Sequence, residues 1–267
     1  MKENIKIVIA THIQCELPQN DMYLPLHVGA EGKESLGYQK DSVGDNISKK
    51  NPSFCELTGL YWAWKNLDVK YLGLVHYRRY FTLKSKWYRK KHDNMECVLT
   101  KKEAEYLMEK YDIVVPKKQK YIIETLYTHY AHTHYKAHLD QTREIIQKQC
   151  PEYLNDYDSV VNSRAGHMFN MFIMSKEYLD DYCAWLFPIL FELEKNVDAK
   201  NLSAFQQRFY GRVSEIIFNC WIRNKARTAE LRIKEIPYFY LGRVDWKRKI
   251  IAFLKAKFLH IKYEGSF

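Results

Sequence analysis

Tyr71-Leu72-Gly73-Leu74-Val75-His76-Tyr77-Arg78-Arg79-Tyr80-Phe81 is the stretch on which the fold turns. Its first five residues form a short apolar run of the kind that makes a buried strand. The run passes without a break into His76-Tyr77-Arg78-Arg79. Two adjacent arginines leaving a buried strand end are costly to orient inward unless an anion meets them. Guanidinium groups take phosphate oxygens through paired hydrogen bonds. The stretch therefore predicts a diphosphate clamp at Arg78 and Arg79, with His76 beside it. The competing reading is that alternate residues point apart, leaving one arginine in a structural ion pair.

Outward from that strand, residues 5–10 and 22–28 read as further strands, and a helix is expected from Pro52 to about Asp68. A helix at 101–110 leads into the strand Ile113-Val114-Val115, closed by Pro116. Residues 121–149 read as helical, 167–174 as a strand, 176–194 and 209–224 as helices, and 230–240 as a short strand region. The order means an α/β fold with a partly parallel sheet. Ligands of such sheets sit beyond the carboxyl ends of the strands. That rule singles out Thr11, His12, residues 44–48, His76 to Arg79, Pro116-Lys117 and Asn170.

Three further groups carry candidate chemistry. Asp45 and Asn46, after Gly44, suit a ribose or a uracil edge, or serve as turn residues bonding their own backbone. His129, His132, His134 and His138 fall on one expected helix, where 134 and 138 share a face. With no glutamate between them and no third ligand in view, the spacing favours exposed or sugar-contacting histidines over zinc. Gly211-Arg212-Val213-Ser214-Glu215 is read as the opening of a helix. There Glu215 either caps the N-terminus or stands as a general base against a hydroxyl.

The chain of 267 residues fits one large domain, or one domain with a tail. Its six cysteines show no CxxC spacing, which argues against a zinc ribbon or a thioredoxin motif and suggests free thiols. The N-terminal run after Met1 is too short for a signal h-region, and no stretch reaches the ~20 apolar residues of a transmembrane helix. A cytoplasmic protein, soluble or on a membrane surface, is the expectation. Of the net charge of +10, nearly all comes from residues 223–262, with twelve Lys/Arg against three acids. The expected final helix at 244–262 puts Trp246, Ile250, Phe253, Leu254, Phe258 and Ile261 on one stripe. Lys247, Arg248 and Lys249 lie around it, the pattern of an interfacial helix on an anionic membrane. The alternative is a terminal helix docked on its own domain. No nucleic-acid module accompanies the basic tail, and no nucleic-acid partner is expected.

The motifs at 44–48, 51–66 and 71–81, continued by Pro151-Glu152-Tyr153, residues 170–174 and Ser214-Glu215, resemble the small bacterial glycosyltransferases of capsular and exopolysaccharide biosynthesis, a family long filed as a domain of unknown function. The resemblance runs to about residue 240. It implies a GT-A-like fold, a Rossmann-like mixed sheet flanked by helices, over 1–242; the basic amphipathic helix, read from its own charge and stripe, is a second, membrane-associating segment at 243–267. It implies a UDP-sugar donor, with UDP-galactofuranose as first choice, and a lipid-linked oligosaccharide acceptor of capsule, exopolysaccharide or O-antigen synthesis. It places Asn170 on an acceptor-side strand and Glu215 where inverting enzymes keep a catalytic acid; of the sugar-contacting histidines, His132 and His134 are the ones expected at the acceptor. The Asp-x-Asp with which other GT-A enzymes hold Mn2+ or Mg2+ is replaced here by His76-Tyr77-Arg78, so either the arginines stand in for the cation or His76 and a distant residue hold one. Two readings compete: a non-catalytic nucleotide-sugar or glycan binding module, and a basic nucleic-acid-binding protein.

Overall fold

The computed structural model describes residues 3–242 and 245–265. In chain order the elements are β1 (Glu3–Thr11), β2 (Tyr23–His27), β3 (Gln39–Lys40), α1 (Asn51–Phe54), α2 (Leu57–Asn66), β4 (Val69–His76), β5 (Arg79–Phe81), α3 (Lys86–Arg89), α4 (Lys101–Lys110), β6 (Ile113–Pro116), β7 (Gln119–Lys120), α5 (Leu126–Thr133), α6 (Ala137–Gln149), α7 (Leu154–Val161), β8 (Ala165–Gly166), β9 (Phe172–Ser175), α8 (Lys176–Asn196), α9 (Phe209–Thr228), β10 (Ile233–Ile236), β11 (Tyr238–Tyr240) and α10 (Trp246–Leu259). They fall into two compact units, each discontinuous in sequence.

The sheet unit comprises residues 1–117, 170–183 and 230–242. Its strands run in the order β10-β6-β9-β4-β1-β2-β3. β1 is parallel to β2 and β4, and β6 to β10, while β9 is antiparallel to β4 and β6. In β1, Ile7, Val8, Ile9 and Ala10 are successive and all at most 1% exposed. Burial of consecutive residues, rather than alternate ones, marks a central strand covered on both faces. α4 begins where Thr100 and Glu103 exchange side-chain and backbone hydrogen bonds as a capping box.

The pairing register sets the strand ends side by side. Ala10 lies opposite His76, and Thr11 opposite His27. The edge expected to hold a ligand is therefore built from residues 11, 27 and 76 and the loops that follow them.

Three expectations about this unit change. The helix from Pro52 is two helices, because Cys55 takes a left-handed φ of 53° between α1 and α2. The Asn51 amide holds the Cys55 carbonyl (2.8 Å) and the Thr58 hydroxyl (3.1 Å), which fixes the break. The strand expected at 167–174 starts only at Phe172, since Phe169 and Asn170 have φ of 79° and 50°. The strand region at 230–240 is two strands, parallel β10 and antiparallel β11.

The helical unit holds residues 118–169, 184–229 and 243–267. α9 is its centre, with Phe209, Val213, Ile217, Cys220 and Trp221 all fully buried. Asp156 of α7 is 3% exposed and accepts from Asn224 and Arg227 of α9, both at 3.0 Å. The single helix expected at 121–149 is α5 and α6, separated at His134, which is extended. The carbonyls at the end of α5 are taken by Lys262 and Tyr263. The Lys262 amine donates to the oxygens of Ala131 and His134, and the Tyr263 amide to Thr133. Such tertiary capping leaves no periodicity signal in the sequence. The C-terminal helix, set apart in the sequence reading, packs on this unit: the Phe253 ring stacks on His129 at 5.6 Å.

Candidate functional site

In the sheet unit, Thr11 ends β1 fully buried. Its hydroxyl donates to the Ile13 carbonyl (2.7 Å) and accepts from the Ile13 amide (3.2 Å), turning the chain at His12. The His12 ring meets Tyr77 edge-on at 5.4 Å, and Tyr77 lies 4.4 Å from His76. His76 Nδ1 accepts from the Arg78 amide at 3.3 Å, so Arg78 occupies the turn between β4 and β5. Arg79 is a strand residue opposite Tyr240, and its guanidinium lies 5.5 Å from that ring. Two imidazoles, two phenol rings and a half-buried guanidinium thus stand at adjacent strand ends, a surface suited to a flat base and an anion.

The loop after β3 is organised by Asp41, a residue that sequence reading passed over. It is fully buried, and each carboxylate oxygen accepts twice. Oδ2 takes the Gly29 amide (2.8 Å) and the Thr58 hydroxyl (2.7 Å); Oδ1 takes the Ala30 amide (3.0 Å) and the Ser48 hydroxyl (2.5 Å). Gly29 has a φ of 64°, and a side chain there would overlap Asn51. Asp45 and Asn46 mostly serve the turn. The Asn46 amide donates to the Gly44 carbonyl and accepts from the Ser48 amide, using both its ends within the loop. The exposed Asp45 carboxylate accepts from the Tyr61 hydroxyl at 3.2 Å. Asn170, expected on a strand, sits in a left-handed turn before it, 3% exposed, and donates to Glu56 at 2.7 Å.

In the helical unit the four histidines separate by environment. His134 and His138 are buried. His134 Nδ1 bonds the Gln206 side-chain oxygen at 2.7 Å, and burial, then the Arg212 charge, lowers its pKa to about 3. His138 stacks on Phe209 at 3.8 Å and bonds the Tyr130 hydroxyl at 2.8 Å; burial lowers its pKa to about 4. His134 is the extended residue that ends α5 and His138 lies on α6, so the shared face expected for 134 and 138 does not form. His129 and His132 share one partner, Glu124, at 2.8 and 2.6 Å. Glu124 is 4% exposed, and Lys257 of α10 reaches it at 3.5 Å. Burial alone would raise the Glu124 pKa; the hydrogen bonds from His129 and His132 outweigh it and keep the group ionised. Burial lowers the pKa of His129, which therefore bonds Glu124 as a neutral donor.

Glu215 is the seventh residue of α9, which starts at Phe209. It lies beyond the first turn, so the expected capping and dipole role gives way. Instead Glu215, half-buried, lines two adjoining cavities of about 190 and 590 Å3. The smaller also takes Arg212, His134 and Tyr130; the larger takes Ile122, Ile123, Ile250 and Phe253. Tyr121, His129, Lys249 and Tyr263 line both. A carboxylate beside an arginine and a lysine in a half-enclosed space is an arrangement for proton abstraction from a bound hydroxyl. His132 contributes through Glu124 rather than from the cavity wall.

No three His, Cys, Asp or Glu side chains come together as a metal-ligand set among the described residues. At the β4–β5 turn the donors are imidazole, phenol and guanidinium, a set that does not fit a divalent cation.

A family model described as Domain of unknown function (DUF4422) matches residues 6–226. The chain belongs to this family. The solved structure of the WbbM bifunctional glycosyltransferase in its apo form is similar to the DUF4422 chain, at 30% identity and a TM-score of 0.82. The match covers 90% of this chain and 46% of that one, so the chain spans about half the length of the protein it resembles. No curated protein matches it. The fold of the DUF4422 chain is α/β and GT-A-like, a mostly parallel mixed sheet flanked by helices, with a basic amphipathic helix at its C-terminal end. Glu124 and Tyr263 are cavity residues missed in its sequence, where Arg212 stood only as a neighbour of Glu215. Of these, Glu124 had a signal: an acid just before a helix, followed by histidines five and eight residues on, which share a helix face.

Proposed function

We propose that the chain is a glycosyltransferase that moves a hexosyl residue from a UDP-sugar, first choice UDP-galactofuranose, to a lipid-linked oligosaccharide of capsule, exopolysaccharide or O-antigen synthesis. The observation that carries the reading is the likeness over 90% of the chain to a bifunctional glycosyltransferase. In the sheet unit, Thr11, His12 and His76 with Tyr77 receive the base and ribose, aided by Asp45. Arg78, with Arg79 behind it, neutralises the diphosphate as it leaves. In the helical unit, Glu215 takes the proton of the acceptor hydroxyl, and Arg212 and Lys249 orient the acceptor's polar groups. The displacement is then inverting, with one base and no covalent intermediate. No step is routed through Mn2+ or Mg2+.

The protein works at the cytoplasmic face of the membrane in this reading. No helix among the described residues is long and apolar enough to cross a membrane. α10 exposes Ile250, Ile251, Leu254, Phe258 and Leu259 next to Lys247, Arg248 and Lys255, the composition of an interfacial helix. The Trp246 side chain, expected to join them, lies outside the described residues, while Phe253 is turned to His129. The test is UDP release from a panel of UDP-hexoses, with and without Mn2+, in the presence of a lipid-linked acceptor extract. Acceptor-dependent release with one donor is the expected result. UDP-sugar binding without release or transfer from any donor would make the chain a binding module instead.

A further inference from the structure

The larger cavity beside Glu215 is more apolar than a sugar needs. Ile122 and Ile123, adjacent in the loop between β7 and α5, are 85% and 61% exposed. Two neighbouring isoleucines held open to water are unfavourable unless something covers them. With Phe169, Ile250 and Phe253 they wall a space of about 590 Å3, within the ~300–1,000 Å3 common to small-ligand sites. Ile250 also belongs to the exposed apolar face of α10, so cavity wall and helix surface are continuous. Among the remaining lining residues, Lys120 and Lys249 supply cations and Glu124 and Glu215 carboxylates.

We infer that this cavity is the subsite for the hydrocarbon chain of a lipid phosphate. The chain lies against Ile122, Ile123, Ile250 and Phe253, and the phosphate meets Lys249. The hydroxyl-bearing end points to Glu215. A sugar alone would leave the isoleucines wet, and a free phosphate would ignore them. Only an amphiphile with an anionic head uses both kinds of wall. The inference rests on the proposed transferase reading for its role: it makes the lipid of the acceptor, and not only its glycan, a recognised part of the substrate.

The probe is farnesyl phosphate, titrated into the full chain below its critical micelle concentration and followed by calorimetry. Farnesol and inorganic phosphate serve as the two half-ligands, and UDP as an independent titrant. Saturable binding of farnesyl phosphate is expected, with farnesol weaker and phosphate alone showing none. Ile122→Asp/Ile123→Asp should weaken it about tenfold or more by placing charge on the apolar wall, without changing UDP affinity. Both side chains are exposed, so the fold should persist; Ile122→Ser/Ile123→Ser carries the test if the aspartates disturb the loop. Farnesyl phosphate binding that is absent, or equal in the substituted chain, overturns the subsite. So does a dimer that the substitution dissociates with no effect on lipid binding, since the isoleucines would then cover each other across two copies. UDP binding without farnesyl phosphate binding removes the lipid subsite and leaves the transferase reading intact. Farnesyl phosphate binding without UDP binding supports the subsite and removes the transferase reading.

Discussion

Acidification from about pH 7 to about pH 5 should cost this fold about 4 kcal/mol through two histidines alone. His134 and His138 are 5% and 2% exposed. Burial, joined by the Arg212 charge at the first and the Lys262 charge at the second, lowers their pKa values from 6.5 to about 3 and about 4. Both folded values are depressed. Each group's contribution is therefore complete above the unfolded pKa and is lost as pH falls from 6.5 toward the folded value. One proton bound by the unfolded chain but refused by the folded one costs about 1.4 kcal/mol per pH unit. At about pH 5 that comes to about 2 kcal/mol for each histidine, a large share of a typical stability of ~5–15 kcal/mol. The assay is urea unfolding, followed by tryptophan fluorescence at several pH values, on the chain and on His138→Gln. Taking the difference between the two removes the carboxylates they share. The unsubstituted chain should lose about 2 kcal/mol more than the variant over this range. A difference that stays constant with pH would refute the claim that His138 is held neutral against Phe209 and Tyr130.

Other perturbations have equally direct outcomes. Asp41→Asn replaces an oxygen that accepts one amide and one hydroxyl with an NH2 group, leaving a buried amide facing a donor. A loss of about 2 kcal/mol in urea unfolding is expected, and a change below about 0.5 kcal/mol would show that the loop does not depend on the carboxylate. Glu215→Gln should lower turnover ~10²–10⁴-fold at saturating donor and acceptor with little change in thermal midpoint. Near-full turnover would remove it as the base. Joint reversal of Lys247, Arg248 and Lys255 to glutamate should weaken binding to phosphatidylserine vesicles by at least about 3 kcal/mol while leaving UDP affinity alone. Unchanged vesicle binding would end the interfacial role of α10.

The sheet was legible because its strands are short apolar runs and its helices carry local stop and start chemistry. Ile5 to Ala10, Leu72 to Val75 and the helix at 101–110 each announce themselves within a few residues. The helical unit was not, because its breaks are set by distant groups. The end of α5 depends on Lys262 and Tyr263, and the environment of His134 on Gln206. Asp41 escaped for the same reason: its partners at 29, 30, 48 and 58 come together only through the fold. Glu215 was singled out for a helix-end argument that its position in α9 does not support, yet it lies in a cavity. Of the arginine pair, Arg79 lies over the Tyr240 ring and Arg78 is in the turn.

Tyr263 lines both cavities, and its backbone is bound by Gln206 and by Thr133. This has a consequence for synthesis. A growing polypeptide that has reached residue 242 possesses every strand of the main sheet, but not α10 or the segment after it. Up to that moment the pocket around Glu215 has one side missing. The pocket around Glu215 is thus completed only after every strand of the sheet unit has been made, so a product terminated near residue 242 would lack the wall that Tyr263 provides.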